Sequence, residues 1–174
     1  MLFLRRLLRY LLVVWLCLWA AVAGASDLAN EVRVKSAVVY NLLQFVSWPK
    51  AYEETGSLSL CLLEDSPMFF SLRTYQGRKV SNLSLLVRAV PAGLLGGAGC
   101  QAVFVEAGDP SLLMRAANLV GMQPVLVIGE GGGAISRGAM IGIDTDAGKV
   151  AFTGDLAALR HRGLKVSSKL LLLA

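Results

Sequence analysis

The sequence predicts a single α/β domain with a mixed, mostly parallel sheet, helices on both of its faces and a C-terminal hairpin. Beyond residue 57, short apolar segments alternate with segments of helical pattern, as in proteins built around a parallel sheet. The segment Leu58–Leu63 is apolar at nearly every position, which is typical of a strand buried on both faces. The chain has 174 residues and shows no internal repeat and no long linker, so its length suits one domain.

Residues 1–25 have the pattern of a secretory signal. Three arginines precede the apolar segment Tyr10–Leu18, and small residues then permit cleavage after Ala23 or Ala25. The alternative is a retained membrane anchor, because the uncharged segment is at the short limit for a spanning helix. We therefore predict an exported protein in which the α/β domain occupies residues 26–174.

Removal of this signal lowers the net charge of the chain. The whole chain has 17 Lys and Arg against 12 Asp and Glu, a net charge of +5. Because the signal contains three arginines and no acid, a net charge of +2 remains after cleavage. We find no cluster of Lys and Arg with interleaved aromatic residues, so we expect no nucleic-acid partner.

Residues 31–49 predict one amphipathic helix that needs a sheet or other helices against it. Its apolar stripe consists of Val34, Val38, Leu42 and Phe45. The opposite side carries Arg33, Ser36, Tyr40, Gln44 and Ser47. Pro49 disfavours the α conformation at Trp48, so the helix is expected to end there.

The remaining elements follow from apolar runs and from turn and cap residues. Strands are predicted at 58–63, 83–90, 100–106 and 124–128, and a hairpin at 139–144 and 149–153. Helices are predicted at 67–75 after an N-cap at Ser66, from Asp109 to 120, and at 156–161 after an N-cap at Asp155. Loops are predicted at 50–57, around Arg78 and Lys79, and at 129–138, with a loop or short helix at 92–99.

Two cysteines remain after removal of the signal, Cys61 and Cys100. An even number of cysteines in an exported protein favours a disulfide, and both residues lie in strand-like segments. The alternative is two separate buried thiols. In the chain-entropy model, closing this loop would contribute about 4 kcal/mol before any native strain is subtracted.

The glycine-rich segment Gly129–Gly138 resembles a phosphate loop only superficially. It lacks the Gly-Lys-Ser/Thr ending, and no clear helix starts on it. We interpret it as a flexible loop at the mouth of the sheet. The alternative is a ligand cleft, since such loops often border one, and Glu130 and Arg137 are then candidate ligand contacts.

No residue pattern indicates catalysis, a metal or a cofactor. His161 is the only histidine, and it lies between two arginines without a nucleophile motif nearby. The chain has no HxxxH, CxxC or DxDxDG pattern, and most of its acids occupy turn or cap positions. We therefore expect no enzymatic activity.

Large apolar side chains are more numerous than a half-buried sheet requires. They occur at Trp48, at Met68–Phe70 and at Leu170–Leu173. Core packing is one interpretation for each of them. The other is an exposed patch for homodimerisation or for a protein partner, with Trp48 and Phe69 as candidate contacts.

Four stretches, in this order along the chain, resemble the YfiR-like family of small periplasmic proteins. They are VKSAVVYNLLQFVSWP at 34–49, SLSLCLLEDSPMF at 57–69, GCQAVFVE at 99–106 and GLKVSSKLLLLA at 163–174. One departure concerns the segment before the last helix. There the family tends to have Asn after a Phe-x-Ile sequence, whereas this chain has Asp155.

The resemblance implies a periplasmic regulator that binds and restrains an inner-membrane signalling protein, typically a diguanylate cyclase. It also implies an outer-membrane protein as a competing partner, and a pairing of Cys61 with Cys100. Some members carry a second, later cysteine pair that this chain lacks. The alternative function is a periplasmic small-molecule-binding protein with a cleft near Gly129–Gly138.

Overall fold

A seven-stranded sheet forms the centre of the molecule. The computed structural model describes residues 6, 28–95, 99–108, 110–146 and 149–167. In spatial order, the strands are β3 (Lys79–Val80), β4 (Leu83–Val90), β2 (Ser57–Leu63), β5 (Ala102–Val105), β6 (Leu126–Glu130), β7 (Ile141–Asp146) and β8 (Lys149–Gly154). The five inner strands are parallel, and the two edge strands are antiparallel to their neighbours. The predicted mixed, mostly parallel sheet with a C-terminal hairpin is therefore confirmed.

Helices cover both faces of this sheet. They are α1 (28–44 within the described residues), α2 (Lys50–Glu53), α3 (Phe69–Arg73), α4 (Pro110–Val120) and α5 (Leu156–His161), with 3-10 turns at Ala92–Leu94 and Ile135–Arg137. Successive side chains of a strand point to opposite faces. On β6, Glu130 contacts Lys35 of α1, whereas a Cβ at Gly129 would lie 2.7 Å from Leu113 of α4. Thus α1 and α4 pack on opposite faces.

The buried side of α1 differs from the predicted stripe. Val34 is 47% exposed, whereas Ser36 and Val39 are fully buried. Ser36 is tolerated in the core because its hydroxyl donates to Val32 O of the preceding turn at 2.8 Å. The residue spacing predicts Ser36 on the solvent side of the helix. This prediction was wrong, because a hydrogen bond within the helix satisfies the Ser36 hydroxyl group.

The end of α1 also differs from the prediction. The helix stops at residue 44, and the chain then forms β1 (Val46–Ser47), which pairs with β9 (Lys165–Val166) as a separate two-stranded sheet. A further backbone bond runs from Ser167 N to Phe45 O. This long-range pairing replaces the last helical turn that the local sequence favours.

Most other elements appear where the sequence predicts them. Strand β4 and helix α5 have the predicted bounds, and Asp155 caps α5 by accepting a hydrogen bond from Ala158 N at 2.9 Å. Three predictions were wrong in part. The segment 50–57 contains α2, Lys79 lies in β3, and the helix predicted at 67–75 is limited to 69–73.

Some predictions concern parts of the chain that are not described. The secretory signal, apart from residue 6, its cleavage after Ala23 or Ala25, the position of Asp109 and the segment Leu170–Leu173 lie outside the described residues. In the part of the chain that is described, no helix is long and apolar enough to cross a membrane.

The glycines of β6 and β7 allow the segment 131–138 to pack closely on the sheet. Gly129 and Gly142 are neighbours in the register of these strands. A Cβ at Gly129 would lie 2.7 Å from Leu113 Cδ2 and 3.1 Å from the Cβ of Ala134. Gly129 therefore belongs to a packed strand, not to the flexible loop that the sequence predicts.

We expect Gly129→Ala to lower the free energy of unfolding by about 1–3 kcal/mol, because the added methyl group overpacks the contact with α4. Gly93→Ala is the matched control, since nothing lies within 4 Å of a Cβ there. Urea denaturation of both variants measures the difference. If the two variants are equally stable, the residues around Gly129 accommodate the added methyl group without loss of stability, and the prediction is contradicted.

Candidate functional site

A lysine and two glutamates meet at the carboxyl edge of the sheet. Lys35 of α1 donates a hydrogen bond to Glu130 at the end of β6, and its Nζ lies 2.7 Å from Glu31 Oε1. The side chains of Lys35 and Glu130 are each 13% exposed, whereas Glu31 is 38% exposed. A charge this buried is stable only when it is paired, so the contact sets the position of α1 over β6.

A third glutamate lies at the end of the neighbouring strand β5. Glu106 Oε1 accepts hydrogen bonds from Ser66 Oγ at 2.7 Å and from Met68 N at 3.2 Å. Ser66 is buried, and its Oγ also accepts a hydrogen bond from Met68 N. Glu106 therefore fastens the turn that precedes α3 to the carboxyl edge of the sheet.

We call Glu31, Lys35, Ser66, Glu106 and Glu130 the polar cluster, and burial and neighbouring charges shift the pKa values of two of its members. Burial alone lowers the pKa of Lys35, but the hydrogen bonds and charges of Glu130 and Glu31 outweigh it and raise this pKa overall. Burial raises the pKa of the Glu106 carboxyl, and the charge of Glu130 adds to this, although the bonds from Ser66 and Met68 oppose it. Lys35 thus stays protonated, and Glu106 takes up a proton more readily than an ordinary glutamate.

A cleft of about 460 Å³ lies between the glycine-rich segment and the C-terminal hairpin. It is lined by Gly131–Ser136, Gly142–Asp144 and Ala151–Thr153. Arg137, one of the two candidate ligand contacts, does not line this cleft, and its Nη2 donates to Gly132 O at 2.8 Å. The guanidinium of Arg137 therefore stabilises its own loop. Glu130, the other candidate, lies in the polar cluster. The ligand roles of both residues stay predictions.

Trp48 and the two cysteines lie together in the interior. Trp48 is 6% exposed, and its indole Nε1 donates to the carbonyl of Gln101 at 2.9 Å. The side chain of Gln101 in turn accepts a hydrogen bond from Ser59 N at 2.7 Å. The adjacent Cys100 forms a disulfide with Cys61 of β2. Because Trp48 is a core residue here, a direct contact with a partner would require the surrounding structure to open.

Phe69 lies on α3, in a region where aromatic rings and cations alternate. Its half-buried ring contacts Phe70 edge to face at 5.5 Å between centroids, and Arg73 lies over it at 5.9 Å. Further along, Arg78 lies 4.9 Å above the ring of Tyr75. Arg73 and Arg78 are thus interleaved with aromatic residues, which the sequence pattern did not reveal, and the expectation of no nucleic-acid partner stays a prediction. Contact of Phe69 with a partner stays a prediction.

Four residues of the polar cluster were not predicted from the sequence as site residues: Glu31, Lys35, Ser66 and Glu106. The signal that would have found Glu106 is positional, because an acid directly after an apolar strand of a parallel sheet lies at the carboxyl edge. The pairing of Lys35 with Glu130 gave no local signal, since the two residues are 95 positions apart. Within the described residues, no three His, Cys, Asp or Glu side chains come together as a metal site.

The fold and these contacts define a single-domain α/β protein with a paired polar cluster at the carboxyl edge of its sheet. The chain belongs to the YfiR/HmsC-like family, whose sequence profile (DUF4154) matches residues 32–174. The predicted family assignment is confirmed. Proteins of this family are periplasmic regulators rather than enzymes. No curated protein matches the sequence.

We expect Lys35→Met to lower the free energy of unfolding by about 1–3 kcal/mol, because it leaves the carboxylate of Glu130 buried without its partner. Glu31→Gln is the control and should cost less than about 1 kcal/mol, since Glu31 is more exposed. The double variant Lys35→Met/Glu130→Leu should recover most of the loss. Urea denaturation measures all three, and equal effects of the two single variants would contradict the assignment.

The pH dependence of stability tests the raised pKa of Glu106. Because the folded pKa of Glu106 lies above the ordinary glutamate value of 4.5, its stabilising contribution is complete below pH 4.5 and is lost as the pH rises through the raised pKa. Because glutamine does not titrate, Glu106→Gln should gain stability relative to the wild type between about pH 4 and about pH 7.

Denaturation curves of both proteins at these two pH values give the comparison. Glu64→Gln, at an exposed position of the same turn region, is the matched control. A stability difference between Glu106→Gln and the wild type that is constant or reversed in sign would contradict the raised pKa.

Proposed function

We propose that this protein is a periplasmic regulator of cyclic di-GMP signalling that binds and restrains an inner-membrane signalling protein, specifically a diguanylate cyclase. The observation that carries this proposal is the family match over residues 32–174. The disulfide between Cys61 and Cys100 suits an oxidising compartment such as the periplasm. The signal predicted at 1–25, cleaved after Ala23 or Ala25, would deliver the chain there.

In this proposal, restraint results from a difference in affinity. The regulator shifts its partner towards the inactive state only if it binds that state more tightly than the active one. An outer-membrane protein that competes for the regulator would lower the free amount and release the partner. The regulator itself is proposed to act as a homodimer.

The first experiment measures cellular cyclic di-GMP after deletion of the gene and after its restoration. A rise on deletion that restoration reverses is the expected result, because loss of the restraint leaves the cyclase active. An unchanged level, in cells where the protein is detected in the periplasm, would contradict the function as a brake on a cyclase.

A second candidate function is binding of a small molecule in the cleft of about 460 Å³ beside the glycine-rich segment. Its volume suits a small organic ligand, and Asp144, Ser136 and Thr153 supply polar groups to an otherwise largely apolar lining. A ligand of this cleft would raise the melting temperature of the purified protein in the absence of any partner. A screen of small metabolites that produces no such shift, together with a positive deletion experiment, favours the regulator alone.

A further inference from the structure

The segment between Asp65 and Glu106 contains no acidic residue. Four cations lie within it: Arg73, Arg78, Lys79 and Arg88. Three of them lie on α3, on the turn after it and at the start of β3, where they are exposed. A chain with a small net charge thus concentrates positive charge on one region of its surface. We call this region, formed by Phe69, Phe70, Arg73, Tyr75, Arg78 and Lys79, the α3–β3 surface.

Aromatic rings hold the two guanidinium groups of this surface in place. Arg73 lies over the ring of Phe69 and Arg78 over the ring of Tyr75. The ring of Tyr75 is itself stacked on Tyr40 of α1, with centroids 4.6 Å apart. A guanidinium that rests on a fixed ring has lost part of its side-chain freedom before any partner arrives, which lowers the entropic cost of binding.

The backbone of this surface is also held by α1. The carbonyl of Lys79 accepts hydrogen bonds from Tyr40 Oη at 2.9 Å and from Gln44 Nε2 at 2.7 Å. The same helix forms the polar cluster through Lys35. The α3–β3 surface is therefore part of the packed domain and presents its cations in a fixed arrangement.

Within the part of the chain that is described, the cations of this surface are not neutralised by carboxylates. Among the described residues, ion pairs occur between Lys35 and the carboxylates of Glu31 and Glu130, and no carboxylate pairs with Arg73, Arg78 or Lys79. Phe70 is 76% exposed, the largest exposed fraction among the exposed large apolar side chains of the described residues. An apolar anchor beside oriented guanidinium groups has the composition of a protein-binding hot spot.

We propose that the α3–β3 surface docks an acidic protein surface, one that presents carboxylates to Arg73 and Arg78 and an apolar pocket to Phe70. Guanidinium groups bind carboxylates through two parallel hydrogen bonds, so the fixed cations select an oriented partner. The positive surface also accelerates association with an acidic partner. The inference rests on the proposed function, since the partner is the periplasmic part of the restrained membrane protein.

A protein partner fits these observations better than a lipid surface does. Recognition of anionic lipids usually takes clusters of about four to eight Lys and Arg, and this surface has three. Phe69 and Tyr75 are half-buried and packed against their neighbours, which leaves Phe70 as the single ring free to insert. Stable membrane attachment needs a stronger apolar anchor than one ring.

The test restores the deleted gene with variants of this surface and measures cellular cyclic di-GMP. The surface variants are Phe70→Ala and the double charge reversal Arg73→Glu/Arg78→Glu. The controls are Met122→Ala, which removes an exposed apolar side chain elsewhere, and Lys50→Glu/Lys149→Glu, which makes the same change in net charge at exposed positions. Periplasmic amount and melting temperature are measured for each variant.

We expect both surface variants to leave cyclic di-GMP at the level of the deletion strain, while both controls restore the low level. Surface variants that are folded and present, yet restrain the cyclase like the wild type, would overturn this inference and leave the proposed function standing. A wild-type gene that does not lower cyclic di-GMP would instead overturn the proposed function. If a surface variant has a reduced melting temperature, Arg78→Gln is tested in its place. This substitution keeps a planar polar group over Tyr75.

A vesicle experiment separates a protein partner from a lipid surface. The purified wild-type protein is sedimented with vesicles of phosphatidylglycerol and phosphatidylethanolamine at physiological salt. We expect it to remain in the supernatant. Sedimentation that Arg73→Glu/Arg78→Glu abolishes would show that the surface binds anionic lipid, and it would overturn the assignment of a protein partner.

Discussion

The ion pair between Lys35 and Glu130 is the contact on which the arrangement of the domain depends. Both groups are largely removed from water, and a buried charge is tolerated only next to its partner. The pair therefore locates one part of α1 over the end of β6. Hydrogen bonds from Tyr40 and Gln44 to the carbonyl of Lys79 locate the next turns of α1 near β3. One helix thus spans the sheet with its position set by polar contacts at both ends.

This arrangement gives the two ends of α1 different electrostatic surroundings. At the carboxyl edge, Glu31 and Glu130 pair with Lys35, and Glu106 accepts hydrogen bonds from Ser66 and Met68, so these groups have partners inside the domain. Beside β3, Arg73 and Arg78 of the α3–β3 surface rest on aromatic rings and are exposed to solvent. Satisfied charges stabilise the fold, whereas unsatisfied ones remain available to a partner. We therefore propose partner binding at the α3–β3 surface and a structural role for the polar cluster.

Sequence patterns predicted the sheet better than the helix that covers it. An inner strand is apolar on both faces, so β4 has the bounds that its composition indicates. The buried side of α1 was wrong because Ser36 satisfies its hydroxyl within the helix and can then enter the core. Gly129 was assigned to a loop because glycine is common there, although here it allows close packing against Leu113. The role of Gly129 was decided by a residue of another element, whereas the bond of Ser36 is local but does not show in the apolar–polar pattern.

The sequence by itself determined the α/β class, the order of most elements, the candidate pairing of the two cysteines and the family. These properties depend on local patterns and on the order of short motifs, which are readable along the chain. Only the tertiary structure decided the polar cluster and the α3–β3 surface. Glu130 lies 95 positions from Lys35, and Tyr40 reaches Tyr75 from another helix. Whether a charge is satisfied or free depends on such long-range neighbours, and no local pattern records them.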